Sequence, residues 1–175
     1  YQMLDLRLQK KYRIIVCPPC IFIPPIYQFL STNKYQNVLY LGGQNVFYRN
    51  RGAFTGTISP VMLKSYNIKY CIVGHSECKT IFKETNIDIN NKIKSLLKQK
   101  IKPIICVGEN KRKLKETSSN FRIKNEIFGQ LNEYLKGIPI EEAHNLMIAY
   151  EPVWAISQNT PTYLPNPQDT KNIIH

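Results

Sequence analysis

Five short apolar runs, each rich in Val, Ile, Tyr or Cys, set the strongest limit on how this chain can fold. They are Arg13-Ile14-Ile15-Val16, Val38-Leu39-Tyr40-Leu41, Tyr70-Cys71-Ile72-Val73, Pro103-Ile104-Ile105-Cys106-Val107 and Leu146-Met147-Ile148-Ala149-Tyr150. In all five, apolar residues follow one another without alternation. Strands buried on both faces of a parallel sheet read this way, whereas a strand with one wet face alternates. The runs end at positions 16, 41, 73, 107 and 150, at intervals of 25, 32, 34 and 43 residues. Intervals of that length hold a loop, a helix and a second loop, and hairpin turn signals between them are too few.

The intervals themselves read as helices. Ile89, Ile93, Leu96 and Leu97 share one face at i, i+4, i+7 and i+8, with lysines on the other. Ile127, Phe128, Leu131, Tyr134 and Leu135 repeat that stripe, and Gly137 ends it. Ser59-Pro60 supplies an N-cap followed by proline at the first helical position, and Asn166-Pro167 offers the same signature before residues 168–174. The order is strand then helix, five times over, with no linker or low-complexity break. A single domain over 1–175 follows. Right-handed crossovers and layered packing leave an open doubly wound sheet or a (β/α)8 barrel.

Composition narrows the function classes. The 175 residues are 43% hydrophobic, enough for one packed core. No stretch reaches the roughly 18–20 uninterrupted apolar residues of a membrane-spanning helix. Residues 1–13 are charged and lack the apolar centre of a signal peptide. Five cysteines leave one over in any complete pairing, so reduced thiols in a cytoplasm are expected. A net charge of +12 attracts polyanions. The lysines and arginines are dispersed, however, and no RRM, KH or helix-turn-helix pattern accompanies them. A solvated basic surface is the expectation, with no nucleic acid and no membrane as partner.

Chemistry collects just past the strand ends: Cys17-Pro18, Gly42-Gly43-Gln44-Asn45, Gly74-His75-Ser76-Glu77, Gly108-Glu109 and Glu151-Pro152. Both candidate architectures place their active site on that edge. Cys17-Pro18-Pro19-Cys20 invites a thioredoxin-like redox reading, since a thiol at a helix start can have its pKa lowered. Five β-α units leave no room for the antiparallel pair such a module needs. A zinc site is weaker still, because no second C-x-x-C or H-x-x-H pair accompanies the first. His75 stands at a strand exit with Ser76 able to cap the next helix, whose N-terminus disfavours the imidazolium and keeps His75 a neutral hydrogen-bond donor. Glu151 leaves a buried strand beside Trp154, partly desolvated surroundings that suit a general base.

Ile72-Val73-Gly74-His75-Ser76-Glu77 and Ile148-Ala149-Tyr150-Glu151-Pro152-Val153-Trp154-Ala155-Ile156 resemble triosephosphate isomerases. Gly52-Ala53-Phe54-Thr55-Gly56 resembles that family's interface loop, and Cys106-Val107-Gly108-Glu109 and Val16-Cys17-Pro18-Pro19 fall in the family's order. The likeness runs from about Tyr12 to the end. It implies a (β/α)8 TIM barrel that interconverts dihydroxyacetone phosphate and glyceraldehyde 3-phosphate in glycolysis and gluconeogenesis, with no cofactor and no metal. Glu151 would be the general base and His75 the electrophile. Pro152, Trp154 and Ser157 would belong to a lid over the substrate phosphate. Gln44, Phe54, Thr55 and Gly56 would form a homodimer interface, with Thr55 near the second subunit's active site.

The chain also departs from the family. No Asn-x-Lys strand precedes Ile14, and the last two strands with their phosphate loops have no counterpart. Strands two to six of the family barrel are visible, so the barrel is incomplete and five strands cannot close. The lid reads Ser157-Gln158-Asn159-Thr160 in place of Gly-Thr-Gly-Lys. Cys78-Lys79 and Thr57 replace an arginine pair and a glutamate that are usual in the family, which implies an altered ion-pair network around the interface loop. The expectation is a fragment, inactive alone; a degraded, non-catalytic paralogue is the alternative. Cys20 is expected to pack as a small apolar side chain.

Overall fold

The computed structural model describes residues 13–32, 39–109 and 119–155, and positions 167, 170 and 171. Five strands appear where the apolar runs predict them: β1 (Ile14–Val16), β2 (Leu39–Gly43), β3 (Tyr70–Val73), β4 (Lys102–Val107) and β5 (Met147–Tyr150). All neighbours pair in parallel, and the spatial order is β1-β2-β3-β4-β5. A doubly wound sheet reverses its strand order at a switch point, whereas a barrel adds each strand beside the last. The unbroken order therefore selects the barrel type of winding. Among the described residues, β1 and β5 each have a neighbour on one side alone. Their exposure follows: Ile14, Val16, Met147 and Ile148 lie open, while β3 and β4 are largely buried.

β2 runs two residues further than its apolar run, because Gly42 and Gly43 continue the ladder opposite Tyr70 and Cys71. Between strands lie α1 (Ile23–Ser31), α2 (Pro60–Ser65), α3 (Ser76–Ile81), α4 (Asn86–Lys98) and α5 (Ser119–Tyr134). α2 starts as its sequence dictates, with the Ser59 hydroxyl accepting from the Met62 N–H and Pro60 at the first helical position. α4 begins with a capping box in which Thr85 and Asp88 satisfy each other's backbone.

α4 drives Ile89, Ile93 and Leu96, all fully buried, against β3, β4 and α5. Each such side chain contributes roughly 1.5–3 kcal/mol on leaving water. The buried Asn90 amide on α4 donates to the Tyr134 and Lys136 carbonyls at 2.7 and 3.0 Å, so it satisfies groups that the end of α5 leaves open. Gly137, at φ +70°, then turns the chain away. On α5 the stripe is narrower than its sequence suggests. Tyr134 is buried and Ile127 and Leu131 pack on the core, but Phe128 faces solvent. The predicted helix after Asn166 lies outside the described residues except at Pro167, Thr170 and Lys171, which are helical.

Candidate active site

The exits of β3, β4 and β5 meet at one carboxylate. After β3 the backbone turns at Gly74, whose φ of +69° strains any residue with a Cβ. That turn delivers His75, which is itself the N-cap of α3; Ser76, expected as the cap, is the first helical residue. The imidazole does what a Ser or Asp usually does, with Nδ1 accepting from the Glu77 N–H at 3.3 Å. A nitrogen that accepts carries no proton, so this network assigns the neutral tautomer with its hydrogen on Nε2. Nε2 lies 3.0 Å from Glu151 Oε1. The imidazole's own capping bond thus leaves Nε2 as the nitrogen turned toward Glu151.

Glu151 follows β5, and its N–H donates to the Val107 carbonyl at 2.7 Å, extending the β4–β5 ladder past the strand end. The Ser76 hydroxyl donates to Oε1 at 2.7 Å, and the Ser76 N–H points at Oε2 from 3.5 Å. The Cys106 thiol donates to the same carboxylate; burial first, then the Glu151 charge, pushes that thiol's pKa up to about 12. Lys79 lies close enough to interact with Glu151, and burial lowers its ammonium's pKa. With 18% of its side chain exposed, Glu151 is a mostly enclosed carboxylate facing a polarising N–H. Such a pair can take a proton from carbon while stabilising charge on an adjacent oxygen.

Glu109 is the residue that sequence reasoning left without a role. It is buried, and its carboxylate accepts from the Tyr150 hydroxyl at 3.0 Å and from the Trp154 indole N–H at 2.7 Å. The Val153 N–H donates to the Glu109 carbonyl at 3.0 Å. Glu109 therefore holds the short turn Val153–Ala155 down on β4. Its only sequence signal is the Gly108-Glu109 strand exit, since its partners lie more than forty residues away. Pro152 closes that turn by accepting from the Ala155 N–H at 3.0 Å. Ser157 and the rest of the expected lid, 156–160, lie outside the described residues.

The interface-loop residues stand apart from this cluster. The Gln44 amide donates to the Cys17 carbonyl at 3.1 Å. Phe54 packs its ring on Phe47 at 4.6 Å, and the Arg49 guanidinium lies 6.0 Å above Phe54. Thr55 and Gly56 are exposed.

The thiol motif carries no redox geometry. Burial raises the Cys17 thiol's pKa, the reverse of what an attacking cysteine needs. Cys20 is exposed at the start of a one-turn helix, Cys20–Phe22, which corrects the expectation that it packs. In the folded chain a thiol reagent should therefore modify Cys20 within minutes and Cys17 far more slowly, as mass spectrometry of digests would read. Cys71 and Cys106 should react on unfolding; equal rates at all five cysteines would contradict this burial pattern.

The family model for triosephosphate isomerase matches residues 2–175. The chain is 37% identical over 173 residues to the triosephosphate isomerase of Caldanaerobacter subterraneus subsp. tengcongensis, covering 99% of this chain and 65% of that one. It is also 37% identical over 166 residues to that of Aster yellows witches'-broom phytoplasma, covering 95% and 56%. The crystal structure of triosephosphate isomerase from Bartonella henselae superposes with a TM-score of 0.70 at 31% identity, over 84% of this chain and 58% of that one. The chain thus spans just over half to about two thirds of the length of these relatives. Its five in-order parallel strands are part of a (β/α)8 barrel, and the chain belongs to the triosephosphate isomerase family.

Proposed function

We propose that these residues carry the proton-transfer chemistry of a triosephosphate isomerase, exchanging dihydroxyacetone phosphate and glyceraldehyde 3-phosphate. The observation that supports this most is the meeting of Glu151 with the Nε2 side of a neutral His75 at 3.0 Å, on the C-terminal edge of a parallel sheet. Glu151 takes a proton from one substrate carbon and returns it to the next. The His75 Nε2–H polarises the carbonyl and holds the negative oxygen of the enediolate between those events, the pairing of roles established for this family. A substrate entering between the two takes over the hydrogen bonds that they now make to each other and to Ser76.

Pro152, Trp154 and Ser157 form the lid over the phosphate, anchored at its near end by Glu109, and its closure keeps water from the enediolate. The exposed tip at Thr55 and Gly56 reaches a second copy, making a homodimer with Gln44 and Phe54 in its interface. The five thiols, unpaired in the structure, suit a cytoplasmic setting.

The test is a coupled glycerol-phosphate assay on two proteins. One is the 175-residue chain. The other is the same chain joined to the flanking segments of the Caldanaerobacter relative. We expect no turnover from the first and ready turnover from the second. A folded joined protein without turnover overturns the assignment, and turnover by the short chain near that of a complete barrel overturns the need for the flanking segments.

A further inference from the structure

We propose that Gln130, on α5 and outside the catalytic pair, is a positioning residue that sets where Glu151 stands relative to His75. The inference rests on the functional reading above and adds a residue to it. Gly108, one step past β4, has both backbone groups held by a single side chain. Its N–H donates to Gln130 Oε1 at 3.1 Å, and its carbonyl accepts from Gln130 Nε2 at 2.9 Å. An amide that bonds a residue through both its N–H and its carbonyl fixes rotation as well as distance, as a rung of a sheet does.

Gly108 in turn lies directly against Glu151. A Cβ placed on Gly108 would overlap the Glu151 carbonyl and come within 3.0 Å of the Pro152 nitrogen. The three nearest atoms are all backbone, so a shift of Gly108 toward Glu151 must displace it. The contact sits between two ladder bonds, Glu151 N–H to the Val107 carbonyl and Val153 N–H to the Glu109 carbonyl. Gln130 thus fixes the middle residue of a three-residue step, 107–109, against which the base and the start of the lid are both hung.

Gln130 touches neither His75 nor the Glu151 carboxylate in any bond above, and it lines a cavity of about 310 Å³ shared with Ser76, Lys79 and Val153. Its effect on the pair is mechanical, through Gly108. Misplacing a reacting group by about 1 Å can cost on the order of 10²-fold in rate, which is the scale available to such a residue.

The test uses the 175-residue chain and NMR titration of the Glu151 side-chain carboxyl and the His75 ring nitrogens. Gln130→Met keeps the length of the side chain and removes both hydrogen bonds. Leu131→Ala removes a core contact from the same helix and controls for lost stability. We expect Gln130→Met to move the Glu151 midpoint by about half a pH unit or more while thermal unfolding stays cooperative. Leu131→Ala should lower Tm and leave that midpoint in place. If Gln130→Met leaves the midpoint unmoved, or Leu131→Ala moves it as far, the positioning role is wrong. Glu151→Gln tests the reading beneath it: it should shift the His75 titration, and a His75 that ignores it overturns the pairing itself.

Discussion

Glu151→Gln in the joined, full-length protein should lower kcat by about 10³-fold, within the 10²–10⁴-fold that a positioned general base supplies. Glutamine has the size of glutamate, and its amide oxygen can still accept from the Ser76 hydroxyl and the His75 Nε2–H, which now reach Oε1 at 2.7 and 3.0 Å. The fold and the substrate's binding surface should therefore survive, with KM changed only a few-fold and Tm within a few degrees. The loss has to appear in the proton-transfer step. Hydrogen exchange between dihydroxyacetone phosphate and D2O, followed by proton NMR, isolates that step from product release. A variant that retains exchange within about tenfold of the parent would remove Glu151 from the role of base.

The largest stability effect should come from Lys92→Met. The Lys92 ammonium on α4 pairs with Glu84 and donates to Asn45 Oδ1 at 2.9 Å, and both members of the pair are almost wholly buried. Asn45 Nδ2 in turn donates to the Cys78 thiol at 3.4 Å. One cation therefore ties the base of the 44–57 loop to α3, the helix capped by His75. Removing it leaves the Glu84 charge buried without its counter-ion, a change that typically costs about 3–5 kcal/mol. That is a large share of the roughly 5–15 kcal/mol that holds a domain folded. Urea unfolding followed by far-UV circular dichroism measures it. Pairing Lys92→Met with Glu84→Gln should recover much of the loss, because no isolated charge then remains. A cost below about 1 kcal/mol for the single variant would mean that water or another group already serves Glu84.

Continuous apolar runs announced the strands because burial on both faces leaves no polar position to interrupt them. The glycine pair at 42–43 carried no such signal: its place in β2 rests on backbone bonds, and a Cβ at Gly42 would come within 2.5 Å of Cys17 Sγ. Glu151 and His75 stood out as candidates because each follows a strand end within a stretch that resembles the family. What stayed hidden depends on contacts across long separations. Glu109 is defined by Tyr150 and Trp154, and Gln130 by Gly108, twenty-two residues away. The cap at His75 was missed for a local reason. A serine in the next position is the commoner cap, and only the extended backbone at residue 75, with φ −57° and ψ 143°, hands the role to the imidazole.

The indole bonded to Glu109 belongs to the only tryptophan in the sequence. With excitation near the red edge of protein absorption, emission from this chain thus comes from one place, the turn Val153–Ala155 that follows β5. Rupture of that single hydrogen bond would alter the colour and intensity of the light without a label being attached. The eleven tyrosines and seven phenylalanines elsewhere are not excited there and add nothing to that light. The molecule carries its own optical gauge, set where the chain leaves β5 and rests on Glu109.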